Sequence, residues 1–232
     1  YPDEAVLLLR DSIILILKNV VETARKSTPI TSGDSPKALR QIRAHGRNRL
    51  LIGSLSFFAR MLLQTPSNYK DLLHNWNTNG NELHLSSELQ LHTLLLNQWI
   101  CLFDQVGGGL NGPWRRKLWS LALTVLWSVG DQEILKRGTE VVNIFMSSIS
   151  NSASGSEFYL PTMDDDHSGL SLEARRKIQV LTSDILHTIE MKTAVTESMN
   201  KFANTLGVEN FNRFVVQNID SVLFGELQNV LK

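Results

Sequence analysis

The chain has 232 residues, its 23 Lys and Arg are balanced by 23 Asp and Glu, and 42% of it is hydrophobic. That balance excludes a global charge field for nucleic acid or an anionic membrane, and the apolar share is ample for a folded core. Cys101 is the single cysteine, which excludes an intrachain disulfide and a cysteine-rich zinc site; with no Asn-x-Ser/Thr acceptor present, an intracellular, soluble protein is expected.

Apolar residues recur at helical spacing along most of the chain. The pattern predicts helices over 3–27, 47–64, 68–76, 86–105, 113–129, 132–150, 171–189, 192–206, 208–218 and 220–231. The early run AVLLLRDSIILILKNVV is broken by Arg10, Asp11 and Lys18. It falls short of the roughly 20 apolar residues of a spanning helix, so a packed helix is expected and no membrane partner. The prolines (Pro2, Pro29, Pro36, Pro66, Pro113 and Pro161) fall at helix starts, ends or linkers, where the missing N–H is tolerated. Strand alternation bounded by hairpin turns is missing, so the fold class is all-α. The chain opens at Tyr1, without an initiator methionine, directly into a helical pattern; it is expected to be a fragment of a longer chain.

Residues 28–46 and 151–169 are expected as long loops, since roughly 2–8 residues suffice between helices of a bundle. The segment from Lys37 to Arg49, which starts inside the first loop and runs past it, holds Lys37, Arg40, Arg43, Arg47 and Arg49, with His45 and no acid. In a helix Lys37, Arg40 and Arg43 would share a face and could neutralise phosphates. Aromatics for base stacking are absent from it, so a solvated or partner-facing loop is the favoured reading and no direct nucleic-acid binding is expected. The second loop is rich in Ser and Gly and carries Asp164, Asp165 and Asp166, without the oxygen-ligand spacing of a calcium loop.

The segment QVGGGLNGP ends one helix at Val106 and opens the next with Pro113 at its first position. Within PWRRKLWSLALTVLWSVGDQEIL, Trp114, Leu118, Leu121, Ala122, Val125 and Val129 form an apolar stripe. Trp119, Leu123, Leu126 and Trp127 cover much of the rest, leaving a narrow polar strip through Lys117, Ser120, Thr124 and Ser128. A helix apolar on nearly every side is buried between neighbours, so Trp114, Trp119 and Trp127 are read as structural core. Gly130 is placed to take a left-handed position at its end and Asp131 to cap the next helix, so short a turn forcing the pair antiparallel. Hairpins in series at roughly 40 residues each suit a HEAT-type solenoid, here one array over 1–232.

Arg115, Arg116 and Lys117 oppose the helix dipole in that first turn and need compensation. Arg175 and Arg176 sit similarly near a helix start, just after Asp164–Asp166. These groups are either solvated faces or contacts to an acidic partner or a neighbouring repeat. Signatures of catalysis are missing. Gly107–Gly109 lack the Gly-Lys-Ser/Thr of a phosphate loop, and His84 and His92 are too far apart for a zinc helix. Cys101, in LLLNQWICLFDQV, reads as a buried inert thiol. No enzyme activity, metal or cofactor is expected.

WRRKLWSLALTVLWSVGDQEILKRGTEVVNIFMSSIS resembles the late HEAT repeats of karyopherin-β nuclear transport receptors, especially the importin-eleven branch. The matching residues are Arg116, Leu118, Trp119, Leu121, Ala122 and Leu123, then Asp131 and Leu135, then Val142, Ile144 and Phe145. EARRKIQVLTSDILHTIEMKTAVTESMNKF resembles the family's Arg-rich helix and Ser-Asp turn, through Arg175, Arg176, Ser183, Asp184 and Thr188. ENFNRFVVQNIDSVLFGELQNVLK resembles its closing helices, through Phe211, Phe214, Asp220 and Leu227. The resemblance covers roughly the second half of the chain; the first half shares only its helical hairpins.

The resemblance implies an α-solenoid of antiparallel HEAT hairpins that binds without chemistry. Cargo protein would lie on its inner face and Phe-Gly nucleoporins in outer grooves. Ran-GTP would release import cargo, mainly through repeats outside this segment, so no Ran-binding residue carries over. The receptor would shuttle between nucleus and cytoplasm through the pore. Candidate protein contacts are Arg115, Arg116, Lys117, Asp164, Asp165, Asp166, Arg175 and Arg176. The alternative is a HEAT or armadillo scaffold of an assembly unrelated to transport.

Overall fold

The computed structural model describes residues 10–26, 37–79, 88–106, 112–153, 171–173, 175, 176, 179 and 184–232. Among these there is no strand, and the fold is all-α. The helices are α1 (Arg10–Lys26), α2 (Lys37–Gln64), α3 (Pro66–Asn79), α4 (Glu88–Val106), α5 (Gly112–Ser128) and α6 (Gln132–Leu135). They continue as α7 (Gly138–Ala153), α8 (Ile185–Thr188), α9 (Met191–Leu206), α10 (Val208–Asn218) and α11 (Ser221–Leu231). They gather into two compact units, residues 1–107 and 108–232, each described by itself.

In the first unit α2 packs against α1, α3 and α4. Leu17 and Val21 of α1, Leu51, Leu55, Phe58 and Leu62 of α2, and Leu91, Leu95 and Trp99 of α4 lose essentially all contact with solvent. Their spacing puts one apolar stripe of each helix inward. The Trp99 indole is satisfied in this core because its Nε1–H donates to the Leu55 carbonyl at 3.0 Å. Tyr69 stacks on Trp99, with ring centroids 6.4 Å apart, and its hydroxyl pairs with His92 Nδ1 at 3.2 Å. Thr65 alone separates α2 from α3, and Pro66 opens α3 where its missing N–H costs nothing.

Two expectations fail in this unit. The 28–46 loop is too long, because α2 begins at Lys37 and takes in the whole basic run up to Arg49. Gly46 and Gly53 are carried inside one 28-residue helix instead of breaking it. Cys101 is exposed, not buried. It lies on the outer strip of α4 with Asp104 and Gln105, while Trp99, Leu102 and Phe103 face the core.

In the second unit α5 packs most closely against α9 and also against α7. The turn after α5 forms as its chemistry requires. Gly130 has φ 68°, its N–H reaches the Trp127 carbonyl at 3.0 Å, and the Asp131 N–H reaches Leu126 at 3.1 Å. This is a Schellman closure. Asp131 Oδ1 then accepts from the N–H groups of Glu133 and Ile134, both at 3.1 Å, and starts α6.

The helix expected over 132–150 is broken into α6 and α7. The break is tertiary in origin. A Cβ on Gly138 would stand 3.1 Å from the Asn218 carbonyl oxygen and 3.0 Å from the Ile219 side chain. The start of α7 is thus pressed against the α10–α11 corner. Thr139 Oγ1 seals that contact, accepting the Asp220 N–H at 3.0 Å and donating to the Asn218 carbonyl at 3.3 Å. The helix expected over 171–189 is likewise interrupted, since Asp184 is extended and caps α8 through the Leu186 N–H. The remaining bounds, α9 to α11, fall within a residue of those expected from the sequence.

Candidate interaction surface

After Gly112 and Pro113, the α5 helix continues with Trp114, Arg115, Arg116 and Lys117, and it has no acid in its first turn. All four side chains are half-buried, held between the helix surface and solvent. Trp114 is therefore not the core residue expected. It lies in the first turn, where its ring meets His187 of α8 with centroids 4.0 Å apart and planes tilted by 58°. Nothing in the sequence pairs these two residues, and only the docking of α8 on α5 brings them together.

Trp119 and Trp127 are core, each with no exposed surface. Trp127 sits edge-on to Phe145, Phe202 and Phe214, at centroid distances of 6.0, 6.0 and 6.1 Å. Its indole N–H is buried with no hydrogen-bond partner among the described residues. The aromatic path runs on from Phe202 to Phe211 at 5.8 Å and from Phe211 to Phe224 at 6.4 Å.

The strip expected to stay polar on α5 is buried as well. Ser120, Thr124 and Ser128 are sealed from water, while Val129, expected in the apolar stripe, is 52% exposed beyond the last turn. The hydroxyls of Thr124 and Ser128 donate back to the carbonyls of Leu121 and Val125, both at 2.8 Å. Ser120 pairs with Ser148 of α7. Small hydroxyls that satisfy themselves locally let two helices approach closely.

The aromatic path ends at an open groove of about 360 Å³ between α9, α10 and α11, lined by Met199, Ala203, Phe211, Phe224, Leu227 and Leu231 among others. A groove of this size and apolar lining can take one aromatic or aliphatic side chain from a partner. The sequence signal for it was the recurrence of Phe202, Phe211 and Phe224 on three successive helices.

Of the other candidate contacts, Arg175 and Arg176 are exposed, and Asp164, Asp165 and Asp166 lie outside the described residues. The Arg137 guanidinium grips the Glu140 carboxylate with both Nε and Nη2 at the start of α7. That hydrogen bonding, aided by the guanidinium charge and opposed by partial burial, holds Glu140 below the ordinary glutamate range. Among the described residues no group of three His, Cys, Asp or Glu could hold a metal, and no helix is long and apolar enough to cross a membrane.

Compared with known proteins, the chain matches one family model over residues 8–232, described as importin-11-like, TPR repeats. No curated protein and no solved structure matches it significantly. The match extends the resemblance from the second half of the sequence to nearly all of it. TPR and HEAT units are both helix–turn–helix hairpins, so this description differs from the HEAT reading in repeat type and agrees in architecture. The family is one of transport receptors, not of enzymes. A family model matching from residue 8 to the last residue shows that the chain belongs to the importin-11-like family.

Proposed function

We propose that this chain is the cargo-binding and scaffold-forming segment of a nuclear transport receptor whose grip on cargo is regulated by Ran-GTP. The observation that carries the reading is the importin-11-like family match over residues 8–232. Its chemistry is recognition alone. Helical hairpins offer charged and apolar surfaces to protein partners, and Ran-GTP releases import cargo by favouring a receptor state that binds cargo less well. That is a coupling free energy between two sites.

Two surfaces of the second unit suit these partners. The half-buried Arg115, Arg116 and Lys117, with the exposed Arg175 and Arg176, offer charge to acidic segments of cargo or of a neighbouring repeat. The groove beside Phe211 and Phe224 has the size and lining to take the phenylalanine of a Phe-Gly nucleoporin. The receptor then shuttles between nucleus and cytoplasm by partitioning through the pore. The test is capture of Ran by the full-length receptor. Ran loaded with GTP should be retained far better than Ran loaded with GDP; equal or absent retention would overturn the transport role in favour of a scaffold.

A further inference from the structure

The α10–α11 hairpin is held to the rest of its unit by few side chains. Between Val208 and Lys232 only Val215, Ile219 and Leu227 are buried, and Phe211, Phe214 and Phe224 are half-buried. Val208, Val216 and Val222 are 67%, 81% and 69% exposed. Against α9 the fit is incomplete, since the open groove of about 360 Å³ runs along Met199, Ala203, Phe211, Phe224 and Leu231. A gap that no atom fills forfeits dispersion contacts that would otherwise hold the two faces together. Within itself the hairpin is better joined. Asp220 caps α11 by accepting from the N–H groups of Val222 and Leu223 at 3.0 and 2.9 Å. The Ile219 N–H reaches the Val215 carbonyl at 3.0 Å, and the Phe211 and Phe224 ring centroids lie 6.4 Å apart.

One residue joins the hairpin to α9. Gly207 stands at φ 84° and ψ 145°, a conformation nearly reserved for glycine, and a Cβ there would meet nothing within 4 Å. Backbone rotation, not crowding, therefore calls for glycine. Its N–H reaches the Ala203 carbonyl and its carbonyl accepts from the Phe211 N–H, both at 2.9 Å. Each of these bonds belongs to one flanking helix, so rotation about φ and ψ of Gly207 breaks neither. The Asn210 side-chain amide does bond across the joint to the Leu206 carbonyl at 3.1 Å, but it is exposed and water can replace it. At the far corner Thr139 Oγ1 holds the hairpin to α7, through the Asp220 N–H at 3.0 Å and the Asn218 carbonyl at 3.3 Å. Thr139 is exposed as well, so water competes for both bonds.

We infer that α10–α11 is a hinged flap: it swings as one body on Gly207, Thr139 latches it to α7, and its opening widens the groove along α9. Closure of this kind needs only a few residues that absorb the backbone rotation. Opening bares Phe202 and Phe214, whose rings meet at 5.5 Å across the joint between α9 and the hairpin. Gating of the groove rests on its reading as a docking site for a partner's aromatic side chain, whereas the motion itself does not.

The experiment places spin labels on the 232-residue chain in a Cys101→Ser background, at the exposed positions Asn143→Cys of α7 and Val216→Cys of α10. A control pair joins Asn143→Cys to Lys201→Cys of α9, also exposed. Dipolar distance measurement should show a longer α7–α10 population that grows at least about threefold in Thr139→Val. Thr139→Ser, which keeps the hydroxyl, should stay at the parent value, and the control pair should keep one distance throughout. Hydrogen exchange tests the unsubstituted chain. The Asp220 N–H, freed by a swing, should exchange at least about tenfold faster than the Ile219 and Phe224 N–H groups, whose bonds lie inside the hairpin. An unchanged α7–α10 distance in folded Thr139→Val, a control pair that lengthens equally, or Ile219 and Phe224 exchanging as fast as Asp220 would overturn the flap. Added N-acetylphenylalanine amide separates motion from gating, since it should enlarge the open population. If the motion is present and the amide leaves it unmoved, the gating is overturned together with the docking reading of the groove, and the hinge stands.

Discussion

Ser120 of α5 and Ser148 of α7 face each other with their hydroxyl oxygens 2.5 Å apart, both sealed from solvent. Both serines are buried, so each hydroxyl depends on protein partners for what water would supply. Replacing Ser120 alone with alanine removes a partner from Ser148 and should cost about 1–3 kcal/mol. The double variant Ser120→Ala/Ser148→Ala should be more stable than the sum of the single effects predicts, by about 0.5 kcal/mol or more. Urea midpoints of the four proteins measure this, and strict additivity would refute the coupling.

The tryptophans of α5 should separate by burial. Trp119 has no exposed surface, and Trp119→Ala should destabilise the second unit by about 3–5 kcal/mol. Trp114 is half-buried against His187, so Trp114→Ala should cost markedly less. Denaturant unfolding of the two variants gives the ranking directly; equal losses would contradict the assignment of Trp114 to the surface.

What could be read in the sequence was the chemistry that acts locally. The Gly130–Asp131 turn was legible because a left-handed glycine and a capping carboxylate state their roles within a few residues. The helical hairpins were legible from periodicity. Three features were not, each for a tertiary reason. Ser120, Thr124 and Ser128 look like a solvent strip by hydropathy, yet small hydroxyls with intrahelical acceptors can be buried at little cost. The α6–α7 break is set by Asn218 and Ile219, which approach Gly138 from the far end of the sequence. Helical spacing places Trp114 on the apolar stripe, and spacing does not record where the neighbouring helix ends. Among the candidate contacts, the cations of α5 stand out in the sequence alone, whereas the Trp114–His187 contact needs the docking of α8.

Gly130 and Gly138 should both resist alanine, for different reasons. Gly130 holds φ 68°, and its Cβ would come within 3.1 Å of the Phe202 ring. Gly138 has ordinary helical freedom, but backbone stands 3.1 Å from its Cβ position. Gly130→Ala should cost more than about 1 kcal/mol through backbone strain. Gly138→Ala should destabilise despite alanine's better helix propensity, because the carbonyl of Asn218 must move. Gly53→Ala, where a Cβ meets open space, is the control and should be neutral or stabilising. Thermal melts of the three check the ranking; a stabilised Gly138→Ala would show that the α10–α11 corner yields freely.

The Arg137–Glu140 pair makes a signed prediction about acid. Glu140 is held below the ordinary glutamate range, first by the hydrogen bonds from Arg137. A carboxylate with a lowered folded-state pKa stabilises the fold above its unfolded value, and that contribution is lost as pH falls through the folded value. Because Glu140 is largely exposed, the effect should be small and screened by salt. Carboxyl NMR titration should place Glu140 below typical glutamates, and Arg137→Gln should move it upward. An unmoved titration in that variant would remove Arg137 as the cause.

Cys101 gives the most direct check on which side of α4 faces inward. The sequence around it is apolar enough to suggest a buried thiol, yet Asn97, Gln98, Asp104 and Gln105 recur with it at helical spacing on the strip away from the core. Trp99, Leu102 and Phe103, its near neighbours in sequence, are the residues packed inside. A maleimide should therefore label Cys101 in the native protein at a rate within about tenfold of a free thiol in a short peptide. Denaturant should add little to that rate. Labelling that begins only as the first unit unfolds would mean that α4 is rotated from the position described, with the Trp99–Leu55 hydrogen bond lost as well.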